Sequence, residues 1–115
     1  MHPPEEGIAA VNATMPDTVQ IVYSLARRHA EHTFLATART ANVGVIARET
    51  LANGFLAGRY GADSEWEQGD IRSRMPRPYV AQLALRFVLD RPEVSCAIVG
   101  TNTVQQVEEN PNAGT

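Results

Sequence analysis

Few residues of this 115-residue chain combine the types and spacings that chemistry requires. His29 and His32 stand three apart near a predicted helix start, which could bring two imidazoles to one side, yet no third ligand of suitable spacing accompanies them. Solvated surface histidines are the better reading. Glu5 with Glu6, and Glu108 with Glu109, are adjacent rather than facing carboxylates, so helix solubility explains them better than acid and base work. Tyr23 reads most simply as a core aromatic. Cys96 is the lone cysteine, and its setting in Ser95-Cys96-Ala97-Ile98-Val99 predicts a small buried apolar residue rather than a nucleophile. Trp66 either covers a ligand or anchors its loop, and both readings stay open.

Two segments could hold an anion. Gly100-Thr101-Asn102 follows a predicted strand and leads into Thr103-Val104-Gln105-Gln106, a Thr-x-x-Gln capping box, so backbone N–H groups and a helix dipole would face outward where the strand ends. Phosphate is a reasonable ligand; an ordinary glycine turn into a capped helix is the plainer alternative. The segment from Leu51 to Arg59 adds flexible backbone and one cation, but matches neither a P-loop nor a dinucleotide fingerprint.

The elements that must carry these residues alternate. Pro3 and Pro4 before Glu5 and Glu6 suit a first helical turn, predicting a helix to about Ala13 that is broken by Met15-Pro16-Asp17. Thr18 to Leu25 reads as a strand with Val19, Ile21, Tyr23 and Leu25 on one face and Gln20 pointing away. Phe34, Leu35, Ala38 and Ala41 recur at helical spacing within Ala30 to Ala41, and Asn42 suits a left-handed stop. Val43 to Ala47, with Arg48 at its end, is a short apolar run predicted to be a strand buried on both faces. Val80, Leu83, Ala84, Phe87 and Val88 form the stripe of a helix running from near Pro78 to Asp90. Cys96 to Val99 is a third strand, and a last helix from Thr103 is limited by Pro111. This order predicts an α/β fold of parallel strands joined by crossovers. Glu49 to Arg77, which holds Gly54, Gly58, Gly61 and Gly69, is one long irregular stretch of the kind usually tied to function.

Composition narrows the possibilities. Ten Lys and Arg against 13 Asp and Glu leave a formal charge of -3, with no basic run to meet a nucleic acid. Apolar runs of a few residues fall far short of the ~20 needed to cross a bilayer, and Met1-His2-Pro3-Pro4 lacks the basic flank and apolar stretch of an export signal. A single cysteine leaves no disulfide framework, making a reducing cytoplasm the expected location.

Three segments together exceed such generic patterns: Asp17-Thr18-Val19-Gln20-Ile21-Val22-Tyr23; Gly44-Val45-Ile46-Ala47-Arg48 with Gly54-Phe55-Leu56-Ala57-Gly58-Arg59-Tyr60; and Ala97-Ile98-Val99-Gly100 leading to Gln106-Val107-Glu108-Glu109-Asn110. In that order they resemble the C-terminal part of the aldo-keto reductases, NAD(P)H-dependent oxidoreductases acting on carbonyls and alcohols on a TIM barrel. The resemblance covers nearly the whole chain and implies that residues 1–115 are one partial (β/α)8 barrel whose strands are the sixth, seventh and eighth. It implies that Gln20 holds the nicotinamide carboxamide and that Arg48 lies against the nicotinamide ring. Leu51, Gly54, Leu56 and Arg59 would embrace the pyrophosphate. Gly100, Thr101, Thr103 and Gln106 would surround the adenosine phosphate or ribose, with Glu109 and Asn110 on the adenine.

Departures accompany the matches. Glu49-Thr50-Leu51 stands where relatives often have Val-Pro-Leu or Ser-Pro-Leu, so Glu49 brings negative charge towards a pyrophosphate. None of Gly100, Asn102 and Gln106 is basic, and NAD is not resolved from NADP. The family's catalytic Asp, Tyr, Lys and His belong to the half of the barrel that has no counterpart here, so the chain alone is expected to be inactive. Three strands cannot close a barrel, and open edges predict self-association, aggregation, partial disorder or pairing with an N-terminal half-barrel. A non-catalytic nucleotide- or partner-binding module and a functionless remnant are the alternatives.

Overall fold

The computed structural model describes residues 4–52, 77–101 and 103–114. Helix α1 (Pro4–Thr14) opens on Pro4 with Glu5 and Glu6 in its first turn, where a missing N–H costs nothing and negative charge meets the helix dipole. It stops at Met15, whose φ of 47° leaves the helical region, and Pro16 follows. Strand β1 (Thr18–Val22) is shorter than the predicted strand, because Ser24 and Arg27 pair across a tight turn that takes Leu25 out to solvent.

After a 3-10 turn at His29–His32 comes helix α2 (Phe34–Thr40). Its end is a Schellman motif: Val43 N–H donates to the Ala38 carbonyl at 2.9 Å and Asn42 N–H to the Arg39 carbonyl at 3.1 Å. Asn42 takes the left-handed φ of 55° that the motif demands. Strand β2 (Gly44–Arg48), helix α3 (Arg77–Leu89), strand β3 (Val94–Ala97), helix α4 (Val104–Glu109) and a 3-10 turn at Asn110–Gly114 complete the described elements.

The strands form one parallel sheet in the order β1-β2-β3. In-register pairing sets Gln20 beside Ile46 and Val22 beside Arg48. Val19, Ile21, Tyr23, Val45 and Ala47 are buried in one cluster with Val11 of α1, Phe34, Leu35 and Ala38 of α2, and Val88 of α3. A smaller cluster joins Leu51, Ala84, Leu85 and Ala113.

Three expectations need correcting. Strand β2 is buried on one face, with Gly44, Ile46 and Arg48 half-buried on the other. On α3, Leu83 is exposed and Leu85 buried, because the helix packs against the C-terminal 3-10 turn as well as the sheet. Cys96 is exposed. The β2–β3 register shifts between Val45 and Ile46: Val94 lies opposite Val45, but Cys96, not Ser95, lies opposite Ile46. Ser95 is the extra residue of a bulge, and its Oγ accepts the Val45 N–H at 3.2 Å. An extra residue reverses the alternation beyond it, sending Cys96 to the open face.

A polar cluster closes the helix side at the end of β1. The Tyr23 hydroxyl, on a ring with no exposed surface, donates to Glu31 Oε1 at 2.6 Å, and Arg28 holds both Glu31 oxygens at 3.0 and 2.9 Å. The Tyr23 ring stacks on Phe87 at 6.0 Å between centroids, and the Arg28 guanidinium lies 5.2 Å from the Phe87 centroid. Burial, then the hydrogen bond to Glu31, pushes the Tyr23 phenol well above its usual range. The Arg28 hydrogen bonds hold Glu31 below the usual carboxylate range, against the opposing effect of desolvation.

A pH dependence follows from these two shifts. A lowered Glu31 contributes stability that is present above the unfolded carboxyl value of about 4.3 and lost as pH falls through the folded value. A raised Tyr23 contributes stability that is complete below about 10 and lost as pH climbs towards the folded value. Urea midpoints measured across pH are therefore expected to fall at both extremes, and Tyr23→Phe to remove most of the alkaline fall. An unchanged alkaline limb in Tyr23→Phe would show that another group carries it.

Candidate functional site

The open face of the sheet and the outgoing ends of its strands collect the residues with functional expectations. Gln20 is exposed on β1 and engaged in polar contact. Arg48, the last residue of β2, keeps about a third of its side chain exposed at 30%. Thr18, Gln20 and Cys96 are exposed and Ile46 half-buried, so these side chains and Arg48 share the face turned away from the helices. Tyr23 N–H donates to the Arg48 carbonyl at 3.2 Å, and Ile98 N–H to the Ala47 carbonyl at 2.9 Å, continuing the parallel pairing to the rim.

Beyond Arg48 the chain makes a turn with left-handed backbone at both Glu49 (φ 54°) and Ala52 (φ 49°), closed by Ala52 N–H on the Glu49 carbonyl at 2.9 Å. Thr50 is buried and donates its hydroxyl to the Ile98 carbonyl at 3.2 Å, tying this turn to the segment after β3. Leu51 is buried against Ala84, Leu85 and Ala113. Its side chain anchors the turn to the core, leaving only its backbone for a ligand. Gly54, Leu56 and Arg59, together with Trp66 and the rest of the stretch from 53 to 76, lie outside the described residues.

After β3, Gly100 and Thr101 are exposed, and Asn102 lies outside the described residues. Thr103 caps α4: its hydroxyl accepts Gln106 N–H at 3.2 Å and Gln106 Oε1 accepts Thr103 N–H at 3.3 Å. The capping box expected from the sequence is therefore complete, and two backbone donors at this helix start are satisfied internally. Glu109 Oε1 accepts from Gln105 Nε2 at 2.7 Å, and Asn110 begins the C-terminal 3-10 turn with its N–H on the Gln106 carbonyl. Glu109 and Asn110 thus lie nearly two turns beyond Thr103.

Arg27 also reaches this rim, although its spacing along the chain gives no sign of it. Its guanidinium stands 3.6 Å from Glu49, whose other carboxylate oxygen accepts from Arg48 at 3.0 Å. The only available signal was the basic pair Arg27-Arg28 just after a strand, which by itself reads as solvated surface. His29 and His32 are exposed, and no group of three or more potential metal ligands occurs among the described residues. No helix of the described residues is long and apolar enough to cross a membrane.

Comparison with known proteins places this geometry. The model of the Aldo/keto reductase family matches residues 9–115. An aldo-keto reductase from Babesia bovis is 27% identical over 135 residues, covering 92% of this chain and 46% of the relative. Among solved structures, the aldo-keto reductase AKR11C1 from Bacillus halodurans superposes with a TM-score of 0.74 in its holo form and 0.76 in its apo form. Identity to the two is 20% and 21%, and 98% of this chain covers 42% of theirs. The chain thus spans less than half the length of these relatives, and its sheet and helices are part of a TIM barrel.

Proposed function

The chain belongs to the aldo/keto reductase family, and from that premise we propose that it forms the cofactor-holding part of an NAD(P)H-dependent oxidoreductase barrel that interconverts carbonyls and alcohols. One observation carries the reading: Gln20 and Arg48 stand on the same open face of neighbouring parallel strands, two residue pairs apart in register. In barrels of this class, ligands sit at the outgoing strand ends, with phosphates near the last strands.

On this reading the Gln20 amide grips the carboxamide of the nicotinamide and Arg48 lies against its ring. The turn of residues 49–51, with Gly54, Leu56 and Arg59, runs along the diphosphate. Gly100, Thr101, Thr103 and Gln106 surround the adenosine phosphate or ribose, and Glu109 and Asn110 flank the adenine. When bound, the reduced nicotinamide supplies the reducing equivalent for a carbonyl carbon. The carbonyl oxygen then needs a proton donor, and Tyr23 does not qualify: it faces the helices, donates its proton to Glu31, and is held above its usual range. The chain therefore binds cofactor without completing the reaction.

Titration with NADPH and with NADH, followed by nicotinamide fluorescence alongside circular dichroism, tests this reading. Saturable binding is expected, with Arg48→Ala weakening it by about tenfold, the scale of one lost charged contact. A folded chain that binds neither dinucleotide would overturn the assignment.

A further inference from the structure

Glu49 holds an unusual position for an acidic residue. Its left-handed backbone (φ 54°) is one that a side chain other than Gly, Asn or Asp adopts infrequently, and then where its surroundings hold it. Here two guanidinium groups hold its carboxylate, one on each oxygen: Arg48 donates to Oε1 at 3.0 Å, and Arg27 lies 3.6 Å from Oε2. The two cations come from different elements, Arg48 from the end of β2 and Arg27 from the turn after β1.

That turn is built to a fixed shape. Ser24 N–H donates to the Arg27 carbonyl at 3.1 Å, and Arg27 N–H is shared between the Ser24 carbonyl and the Oγ of Ser24, which has no exposed surface. The backbone of Arg27 is thus tied down while 47% of its side chain stays exposed. Arg48 and Glu49 retain 30% and 27% exposure, so an external anion can reach the cluster. Guanidinium groups take two phosphoryl oxygens of one anion in the same way, one donor on each oxygen.

We propose that Arg27 and Arg48 form a two-guanidinium site for a phosphoryl oxyanion, which the Glu49 carboxylate occupies as an internal stand-in until a ligand displaces it. Partly exposed ion pairs hold weakly, so a multiply charged anion such as a diphosphate can replace a single carboxylate. This deepens the cofactor-surface reading by adding Arg27 and a displaceable carboxylate at the phosphoryl group next to the nicotinamide, where the Arg48 side chain lies along the ring and turns its guanidinium N–H groups to the phosphoryl oxygens, and it needs no adenine contact.

Inorganic pyrophosphate is the probe, titrated into the full chain by calorimetry and by NMR of the arginine Nε–H signals. In the unaltered protein, the signals of Arg27 and Arg48 are expected to shift together and to saturate. Glu49→Gln is expected to tighten pyrophosphate binding about tenfold, the effect of removing one like charge at a surface site, and adding Arg27→Gln to reverse that gain. Arg27→Gln alone, at an exposed side chain whose backbone bonds are untouched, weakens binding without depending on how Glu49→Gln folds. A response from Arg48 alone, or unchanged or weaker binding in Glu49→Gln, would overturn the proposal. Pyrophosphate binding at both arginines in a chain that ignores NADH and NADPH would sink the cofactor reading and leave this site standing.

Discussion

Phe34→Ala is expected to lower the stability of the chain by about 3–5 kcal/mol, the range for emptying a fully buried aromatic site. Phe34 has no exposed surface and belongs to the cluster that joins α1, α2 and the sheet. With ordinary domains stable by only about 5–15 kcal/mol, such a loss brings a small core close to unfolding at room temperature. The ring also explains a glycine inside a helix. A Cβ on Gly7 of α1 would lie 2.7 Å from Phe34 Cε2 and 2.8 Å from Cδ2. Gly7→Ala would gain about 1 kcal/mol of helix propensity, but overpacking of this kind costs about 1–3 kcal/mol. The expected net result is destabilisation, reduced when Phe34 is shortened to Leu in the same chain, because the two residues share one contact. Urea unfolding followed by circular dichroism reads all three. Strictly additive effects, or a Gly7→Ala protein more stable than its parent, would contradict the ring-over-glycine account.

The second large effect concerns turnover. The chain alone is expected to reduce carbonyl compounds at no more than background rate with NADPH or NADH. Co-expression with the portion of the Bacillus halodurans aldo-keto reductase that this chain does not cover is expected to raise the rate by about 10²–10⁴-fold, the usual contribution of a positioned proton donor. Among the described strands β1 and β3 are the outer ones, and their edges are where the strands of such a half are expected to pair. The control is the same complementing half with its catalytic tyrosine replaced by phenylalanine, which should restore binding without restoring rate. Robust turnover by the isolated chain, or equal rates with and without that tyrosine, would show that the proton comes from somewhere else.

Much of the scaffold was legible because single residues with strong local physics mark its joints. Asn42 was readable as a left-handed stop, Thr103 with Gln106 as a capping box, and the alternation through Val19, Ile21 and Tyr23 as a half-buried strand. These features depend on neighbours within a few residues. The errors fall where a distant element decides. Cys96 faces outward because Ser95 bulges against β2, and nothing within β3 announces that pairing. Leu85 rather than Leu83 is buried because Ala113 and Leu51 form a second packing surface for α3, whereas a single apolar stripe presumes one partner. Within the proposed site, Gln20 and Arg48 are assigned through family likeness. The convergence of Arg27 on Glu49 requires two turns to meet in space, which spacing along the chain does not reveal.

The order β1-β2-β3 also bears on when each part of the molecule forms. The first pair, Thr18 with Gly44, closes a span of 26 residues, and Val45 with Val94 one of 49. Doubling a loop adds only about 0.6 kcal/mol of closure entropy, so length alone separates the two events weakly. What separates them further is the ladder each gains: β1 and β2 match five residues without interruption, while β2 and β3 match three across a bulge. The β1–β2 pair with α2 is thus the natural nucleus, and β3 docks afterwards. Thr50 can reach the Ile98 carbonyl only once that docking is complete. The turn after β2 is therefore among the last parts to take its final shape during folding.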